Sequence, residues 1–337
     1  MKDLINYTMT FLVKVALHLY YSKIHVVGRE NIPKNKAVLI IANHQNALID
    51  PILIATHLNL KPYFLTRASI FKNPIVAKLL DFIRMIPIFR VRDGIENMEK
   101  NQETFDLSTK ILSSKKSILI FGEGNHSLKR NLRPLKKGFA RIVVKTLEKD
   151  PDLDLVILPV GINYSNHKNS GSKVRLIIGK PFSPKDYCPN HGQLVQATHA
   201  ALKPLVSHIP EANYQKDLER LIENGVDLTD PTSVEYFLSQ EDLKHQIPEK
   251  VITKPYLANK VMKIFHFPIY WIWLAIARKV KDPAFTATFK FVIGLVAIPI
   301  WYFLLWTIFP EMWGTASAMT WGILGFVYLL ANKTGQE

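Results

Sequence analysis

The sequence predicts an α/β fold, a layered domain on a largely parallel sheet, followed by a helical membrane hairpin at the C-terminal end. Three observations predict it. Apolar runs of strand length at 37–42, 117–121 and 156–161 alternate with helical stretches of roughly 10 to 15 residues, as parallel crossover units require. Two further runs, 291–309 and 312–331, hold no charged residue, and at about 1.5 Å per residue each is close to the roughly 30 Å of a hydrocarbon core. The 337 residues are 48% hydrophobic, enough for one large or two ordinary domains, and a lone cysteine, Cys188, rules out an intramolecular disulfide or a cysteine metal cluster. Its Tyr-Cys-Pro loop setting also argues against a catalytic thiol.

In chain order, residues 4–21 read as a helix with Lys14 and His18 four apart on one face and aromatic residues around them. Such a helix lies in a membrane interface or packs on the domain. Lys14 interrupts the apolar run, so no cleaved leader is expected there. Strands follow at 23–28 and 37–42, divided by a breaker-rich stretch, and the second is apolar throughout, as a strand covered on both faces is. Next come a helix to about Leu58, a strand near 63–65, a helix over 74–83 opened by Pro74, and a strand over 85–91. A longer helix at 96–112, a strand at 117–121, a helix at 137–149 and strands at 156–161 and 173–178 complete the sheet. Pro159 has no N–H to give a ladder, so it suggests a strand end or a bulge near a site, with plain strand punctuation as the alternative.

These elements divide the chain into an interfacial helix (1–22), an α/β domain (23–190), a helical extension (191–263) and a membrane region (264–337). The extension has helical stretches near 193–206 and 214–223 and a breaker at Asp230 and Pro231. Residues 264–277 are uncharged but too short to span and are expected to lie in the interface. Arg278, Lys279, Lys281 and Lys290 precede the hairpin and Lys333 follows it, whereas its turn holds only Glu311. Basic residues stay inside, which places both hairpin ends and the α/β domain in the cytoplasm.

A net charge of +15 points to an anionic partner: nucleic acid, a membrane surface, or an acidic carrier or substrate. From Ser127 to Lys145 there are seven Lys or Arg and no Asp or Glu, either a solvated basic face or a funnel for an anion. Phe139 is the one aromatic in that run, a poor platform for stacking bases.

Four stretches could carry chemistry. His44 and Asp50 follow the 37–42 strand; a carboxylate holding one imidazole nitrogen leaves the other to take a proton, although the spacing alone favours a capping Asp and a satisfied surface His. Arg90 and Arg92 end the 85–91 strand two residues apart, on one face, where a planar guanidinium suits phosphate; pairing with Asp93 or Glu96 is the alternative. Phe121, Gly122, Glu123, Gly124 and Asn125 form a strand-to-loop turn whose amides could face an anion. Residues 157–164, with Pro159, make the fourth.

In this order the four stretches resemble the glycerolipid (glycerophosphate and lysophosphatidate) acyltransferase superfamily, whose blocks are His-x4-Asp, a strand with a key Arg, Phe-Pro-Glu-Gly, and an apolar strand with Pro. Here they correspond to His44 and Asp50, 86–90, 121–124 and 157–161 within residues 23–183. Five residues separate His44 from Asp50, Ile49 occupies the usual Asp position, and Gly122 replaces the usual Pro. The longer spacing is similar to a glycerol-phosphate or dihydroxyacetone-phosphate acyltransferase-like branch.

The resemblance implies that His44, oriented by Asp50, deprotonates an acceptor hydroxyl that attacks the thioester of coenzyme A or acyl carrier protein. It implies acceptor-phosphate contacts from Arg90, Arg92, Glu123, Gly124, Asn125 and Lys136. The acceptor expected is 1-acylglycerol 3-phosphate or glycerol 3-phosphate, in phospholipid biosynthesis, with membrane lipids as surroundings and no metal or redox cofactor. A non-catalytic membrane module binding anionic lipid is the competing expectation, since it needs only basic charge and the hairpin.

Overall fold

The computed structural model describes residues 2–89, 99, 101–240, 263–308, 311 and 314–331. Among them seven strands form one sheet: β1 (Lys23–Val27), β2 (Ala37–Ala42), β3 (Tyr63–Arg67), β4 (Met85–Ile88), β5 (Ser117–Phe121), β6 (Leu155–Tyr164) and β7 (Lys173–Ile178). Their order is β1-β7-β6-β2-β5-β3-β4. Strands β2 to β6 run parallel; β7 is antiparallel to β6 and carries β1 parallel to itself. The expected α/β fold with a largely parallel sheet is therefore the observed one.

The central strand explains the layering. All six residues of β2 are buried. Successive side chains of a strand point to opposite faces, and both faces are covered. Val38, Ile40 and Ala42 share a core with Leu17 of α1 (Lys2–Tyr20) and with Leu53 and Ile54 of α2 (Ile49–His57). Leu39 and Ile41 share another with Phe139 and Val143 of α5 (Gly138–Lys149) and with Leu112 of α4 (Asn101–Ser113). At about 1.5–3 kcal/mol for each fully buried aliphatic side chain, a strand covered on both sides fixes the register of its neighbours. Between β3 and β4 runs α3 (Pro74–Phe82).

Several boundaries differ from expectation. Strand β6 is not broken at Pro159 but runs unbroken for ten residues. The proline falls where the strand changes partner, between the Ile157 bridge to Phe182 and the β7 ladder that begins at Val160, so no amide hydrogen is missed. Its carbonyl accepts from Gly179 N at 2.9 Å.

The core also continues past residue 190. Leu194 and Leu202 of α6 (His191–Leu202) pack with β2 and β6. Helices α7 (Tyr214–Glu223) and α8 (Pro231–Ser239) close a smaller cluster of Leu221, Val234 and Phe237, and the Pro231 breaker is the start of a helix.

In the C-terminal region, α9 (Phe267–Ala277), α10 (Thr286–Thr307) and α11 (Thr315–Ala331) are described. One helix among the described residues, Pro283–Thr307 with its 3-10 lead-in, is long and apolar enough to cross a membrane. Helix α11 has 17 residues, about 25 Å by helical rise and short of the expected span. Residues 309, 310, 312 and 313 of the expected hairpin and Lys333 lie outside the described residues, as do Arg90 and Arg92. The first turns of α10 do not stand apart from the α/β domain: Ala287 and Phe291 are buried in the core that holds Leu17, Tyr21 and Val160.

Candidate active site

In a parallel sheet, loops beyond the carboxyl ends of strands hold ligands. Ala42 and Phe121, the last residues of β2 and β5, are paired in register, so His44 and Glu123 leave the sheet side by side. The loop after β2 is tied down at each polar residue. Asn43 bonds both the amide (2.8 Å) and the carbonyl (2.9 Å) of Ile162, replacing a ladder rung. Gln45 Oε1 lies 3.0 Å from His167 Nε2, and Asn46 Nδ2 donates to the His167 carbonyl at 2.9 Å.

His44 Nδ1 lies 2.8 Å from Asp50 Oδ2. A carboxylate only accepts, so Nδ1 carries the hydrogen and Nε2 keeps its lone pair. Asp50, fully buried in the first turn of α2, receives three more donors: Gln45 N at 2.8 Å and Asn46 N at 2.7 Å on Oδ2, and the Tyr164 hydroxyl at 2.5 Å on Oδ1. The turn at 46–48 folds the loop back over Asp50, so the extra residue between His44 and Asp50 does not separate them.

The His44 ring stacks on Phe121, 3.9 Å between centroids and 13° from parallel. Burial lowers the His44 pKa from the ordinary imidazole value; the Asp50 hydrogen bond and charge oppose this, and His126 and Arg133 add to the lowering. The net effect holds the ring neutral, the form that can accept a proton.

The neighbouring loop is organised by a residue that the sequence reading passed over. Arg133 pairs with the buried carboxylate of Glu123 and also donates to the side chain and carbonyl of Asn125. Burial raises the Glu123 pKa, against the pull of Arg133. The Arg133 Nε is buried without a hydrogen-bond partner. Gly124 has φ +79°, a turn that glycine adopts without strain, and exposed Lys136 packs over it. The basic run is less of a funnel than its composition suggests: Lys129 pairs with Glu211, Lys145 with Asp106, and Arg130 is buried against the Tyr164 and Ser165 carbonyls, its pKa pushed down to about 10 by burial.

A second imidazole-carboxylate pair borders the site. His126 Nε2 lies 2.7 Å from Asp282 Oδ2, and its ring stands edge-on to His44 with centroids 5.5 Å apart. Asp282 immediately precedes the 3-10 turn that leads into α10, and Thr288 Oγ1 of α10 accepts from Leu48 N at 3.3 Å. The C-terminal helix thus touches the loops on both sides of His44. No group of three or more His, Cys, Asp or Glu among the described residues is placed to hold a metal ion.

A carboxylate-held imidazole beyond the central strand of an α/β sheet is an arrangement able to act as a general base. Residues 23–163 match the family described as Acyltransferase. A 1-acyl-sn-glycerol-3-phosphate acyltransferase of Borreliella burgdorferi is 31% identical over 155 residues, 46% of this chain and 57% of its own length. Glycerol-3-phosphate O-acyltransferase 2 of Saccharomyces cerevisiae is 27% identical over 105 residues, 31% of this chain and 14% of its own. The crystal structure of the 1-acyl-sn-glycerophosphate acyltransferase of Thermotoga maritima has a TM-score of 0.47 and 23% identity, covering 60% of this chain and 78% of that one. The match thus spans little more than half of the bacterial curated relative and a small part of the yeast enzyme.

Proposed function

We propose that the chain transfers a fatty acyl group from a thioester of coenzyme A or acyl carrier protein to the hydroxyl of 1-acylglycerol 3-phosphate, with glycerol 3-phosphate as the alternative acceptor. The observation that carries this reading is the His44 and Asp50 pair at the strand ends of an acyltransferase domain. His44 Nε2 takes the acceptor hydroxyl proton as its oxygen attacks the thioester carbonyl. Collapse of the tetrahedral intermediate breaks the carbon–sulfur bond, and the imidazolium returns the proton to the departing thiolate, leaving an ester and a free thiol.

The part-exposed Arg133 guanidinium, with Lys136 and the Gly124 turn, takes the acceptor phosphate; Glu123 and Asn125 aim the guanidinium instead of meeting the phosphate themselves, since a carboxylate would repel it. Arg90 and Arg92 remain proposed phosphate contacts. The protein is proposed to be integral to the membrane through the hairpin, with the acyltransferase domain facing the cytoplasm; the long apolar helix supports this.

The test is the detergent-solubilised full chain given labelled acyl-coenzyme A or acyl carrier protein and each acceptor in turn. Acylated 1-acylglycerol 3-phosphate is the expected product. Failure of both acceptors with both donors overturns the reading.

Tyr164 has a proposed positioning role, holding Asp50 Oδ1 so that Oδ2 stays on His44. Tyr164→Phe removes one hydrogen bond to a carboxylate, worth about 1.5 kcal/mol or slightly more, and is expected to lower kcat about tenfold with KM unchanged. An unchanged kcat, or a change confined to KM, counts against that role.

A further inference from the structure

We propose that residues 68–78, the 3-10 turn after β3 and the first turn of α3, form a membrane-contacting element that seats the rim of the His44 site on an anionic bilayer surface. The proposal rests on the membrane reading above and adds to it a contact that neither the terminal helices nor the acyltransferase resemblance supplies.

The first reason is an apolar helix whose outward face is uncovered. Helix α3 reads Pro74, Ile75, Val76, Ala77, Lys78, Leu79, Leu80, Asp81, Phe82, and none of its described side chains is buried. Ile75 is 79% exposed, with Ile70 and Val76 also exposed. A helix on a water-facing surface turns such residues to the core, as α5 does with Phe139, Ile142 and Val143. Nor is this a loose end: Asn73 Oδ1 caps the helix, accepting from Ile75 N at 2.9 Å and Val76 N at 3.3 Å.

Position is the second reason. Strand β3 is parallel to β5, so the turn at Ala68–Phe71 leaves the sheet at the edge where His44 and Glu123 do. The lead-in to α10 meets that edge through Asp282 and Thr288. The last turn of α1 meets it too, since Lys23 pairs with Lys173 and Val174 pairs with Tyr164 at the end of β6. The exposed Ile70, Ile75 and Val76 therefore lie at the edge of the sheet that carries the His44 site. The opposite edge is polar, with Lys36 paired to Asp154 and with Lys115, Lys116 and Asp152 near the strand starts.

Charge commits the occupant. Between residues 68 and 82 Lys72 and Lys78 face one acid, Asp81, and no ion pair is recorded for either lysine among the described residues. Apolar side chains flanked by unneutralised lysines fit lipid chains below anionic headgroups.

Spin labels on the full chain in a Cys188→Ser background would test this, using vesicles of phosphatidylcholine with about one-third phosphatidylglycerol. Labels go on Ile75→Cys, on Val296→Cys in the long apolar helix, and on Asp152→Cys at the far edge. Collision with oxygen relative to a water-soluble nickel chelate is expected to be roughly threefold higher or more at 75 and 296 than at 152. A lipid-exposed 296 with 75 matching 152 overturns this inference and leaves the membrane reading standing. A 75 label shielded from both reagents overturns it as well, since protein then covers α3. A water-exposed 296 removes the membrane reading and this inference with it.

Ile75→Glu supplies the functional arm. It is expected to lower acylation of a vesicle-borne acceptor about tenfold and to leave acylation of a short-chain soluble acceptor within about twofold. Equal effects on both acceptors overturn the proposal.

Discussion

Replacing His44 with Ala is expected to lower kcat/KM for acyl transfer by about 10²- to 10⁴-fold, the usual contribution of a placed general base. The loss should fall on kcat, because the phosphate contacts proposed for Arg133 and Lys136 lie on a different loop and hold the acceptor without His44. Folding should be little affected: the ring is partly exposed at its Nε2 side, and the loop keeps the Asn43, Gln45 and Asn46 bonds that pin it to β6 and its following loop. The pH profile gives a second readout. A base works neutral, so activity disappears as pH falls through the folded-state pKa. Burial places that pKa below the ordinary value of about 6.5, with Asp50 opposing and His126 and Arg133 reinforcing the shift. The acid limb of kcat/KM is therefore expected below pH of about 6.5. Wild-type activity in His44→Ala, or an acid limb well above that value, would remove His44 from the chemistry.

Much of this architecture was legible in the residues. Strands β2 and β5 are apolar runs closed by polar turns, and a run of that kind between breakers has few alternatives. Pro159 misled because a proline counts against a central strand only where its amide would have had an acceptor, and here the partner changes at that residue. His44 and Asp50 were visible because they are six residues apart. Tyr164, 114 residues from Asp50, and Asp282, 156 residues from His126, meet their partners only through sheet order and helix docking, which no local pattern encodes. Arg133 was in view but merged into a run of basic residues; what distinguishes it is a buried acid ten positions earlier on a loop that turns back at Gly124.

The same docking changes the place of the C-terminal helix. Composition marks it as an anchor, yet Ala287 and Phe291 fill the core under β6, Thr288 caps Leu48 N between His44 and Asp50, and Asp282 holds the ring beside His44. Burial of an aromatic side chain such as Phe291 contributes about 1.5–3 kcal/mol, and the two polar contacts add direction. The one described helix long and apolar enough to cross a membrane is therefore also a wall of the candidate site.

Asp50→Asn is expected to lower kcat about 10²- to 10³-fold while the protein stays folded. The reasoning turns on how the four donors divide. Oδ2 takes His44 Nδ1, Gln45 N and Asn46 N, so an amide oxygen must occupy that place and the amide nitrogen must face the Tyr164 hydroxyl, which can turn to accept. Geometry survives, but the negative charge that stabilises the imidazolium during proton transfer does not, and that charge is what a carboxylate-held imidazole draws on. The substitution also removes the charge that raises the His44 pKa and leaves only a hydrogen bond to a neutral oxygen against burial, His126 and Arg133, which lower it. The acid limb of kcat/KM should then move to lower pH even as the plateau falls, a combination that a merely structural aspartate would not produce. Asp50→Ala separates the two roles: it strips an acceptor from two backbone amides and a buried hydroxyl, at about 1–3 kcal/mol for each donor left unpaired, and should lower the melting temperature where Asp50→Asn does not. Equal stability in both variants, or an acid limb that stays in place in Asp50→Asn, would show that His44 draws its basicity from elsewhere.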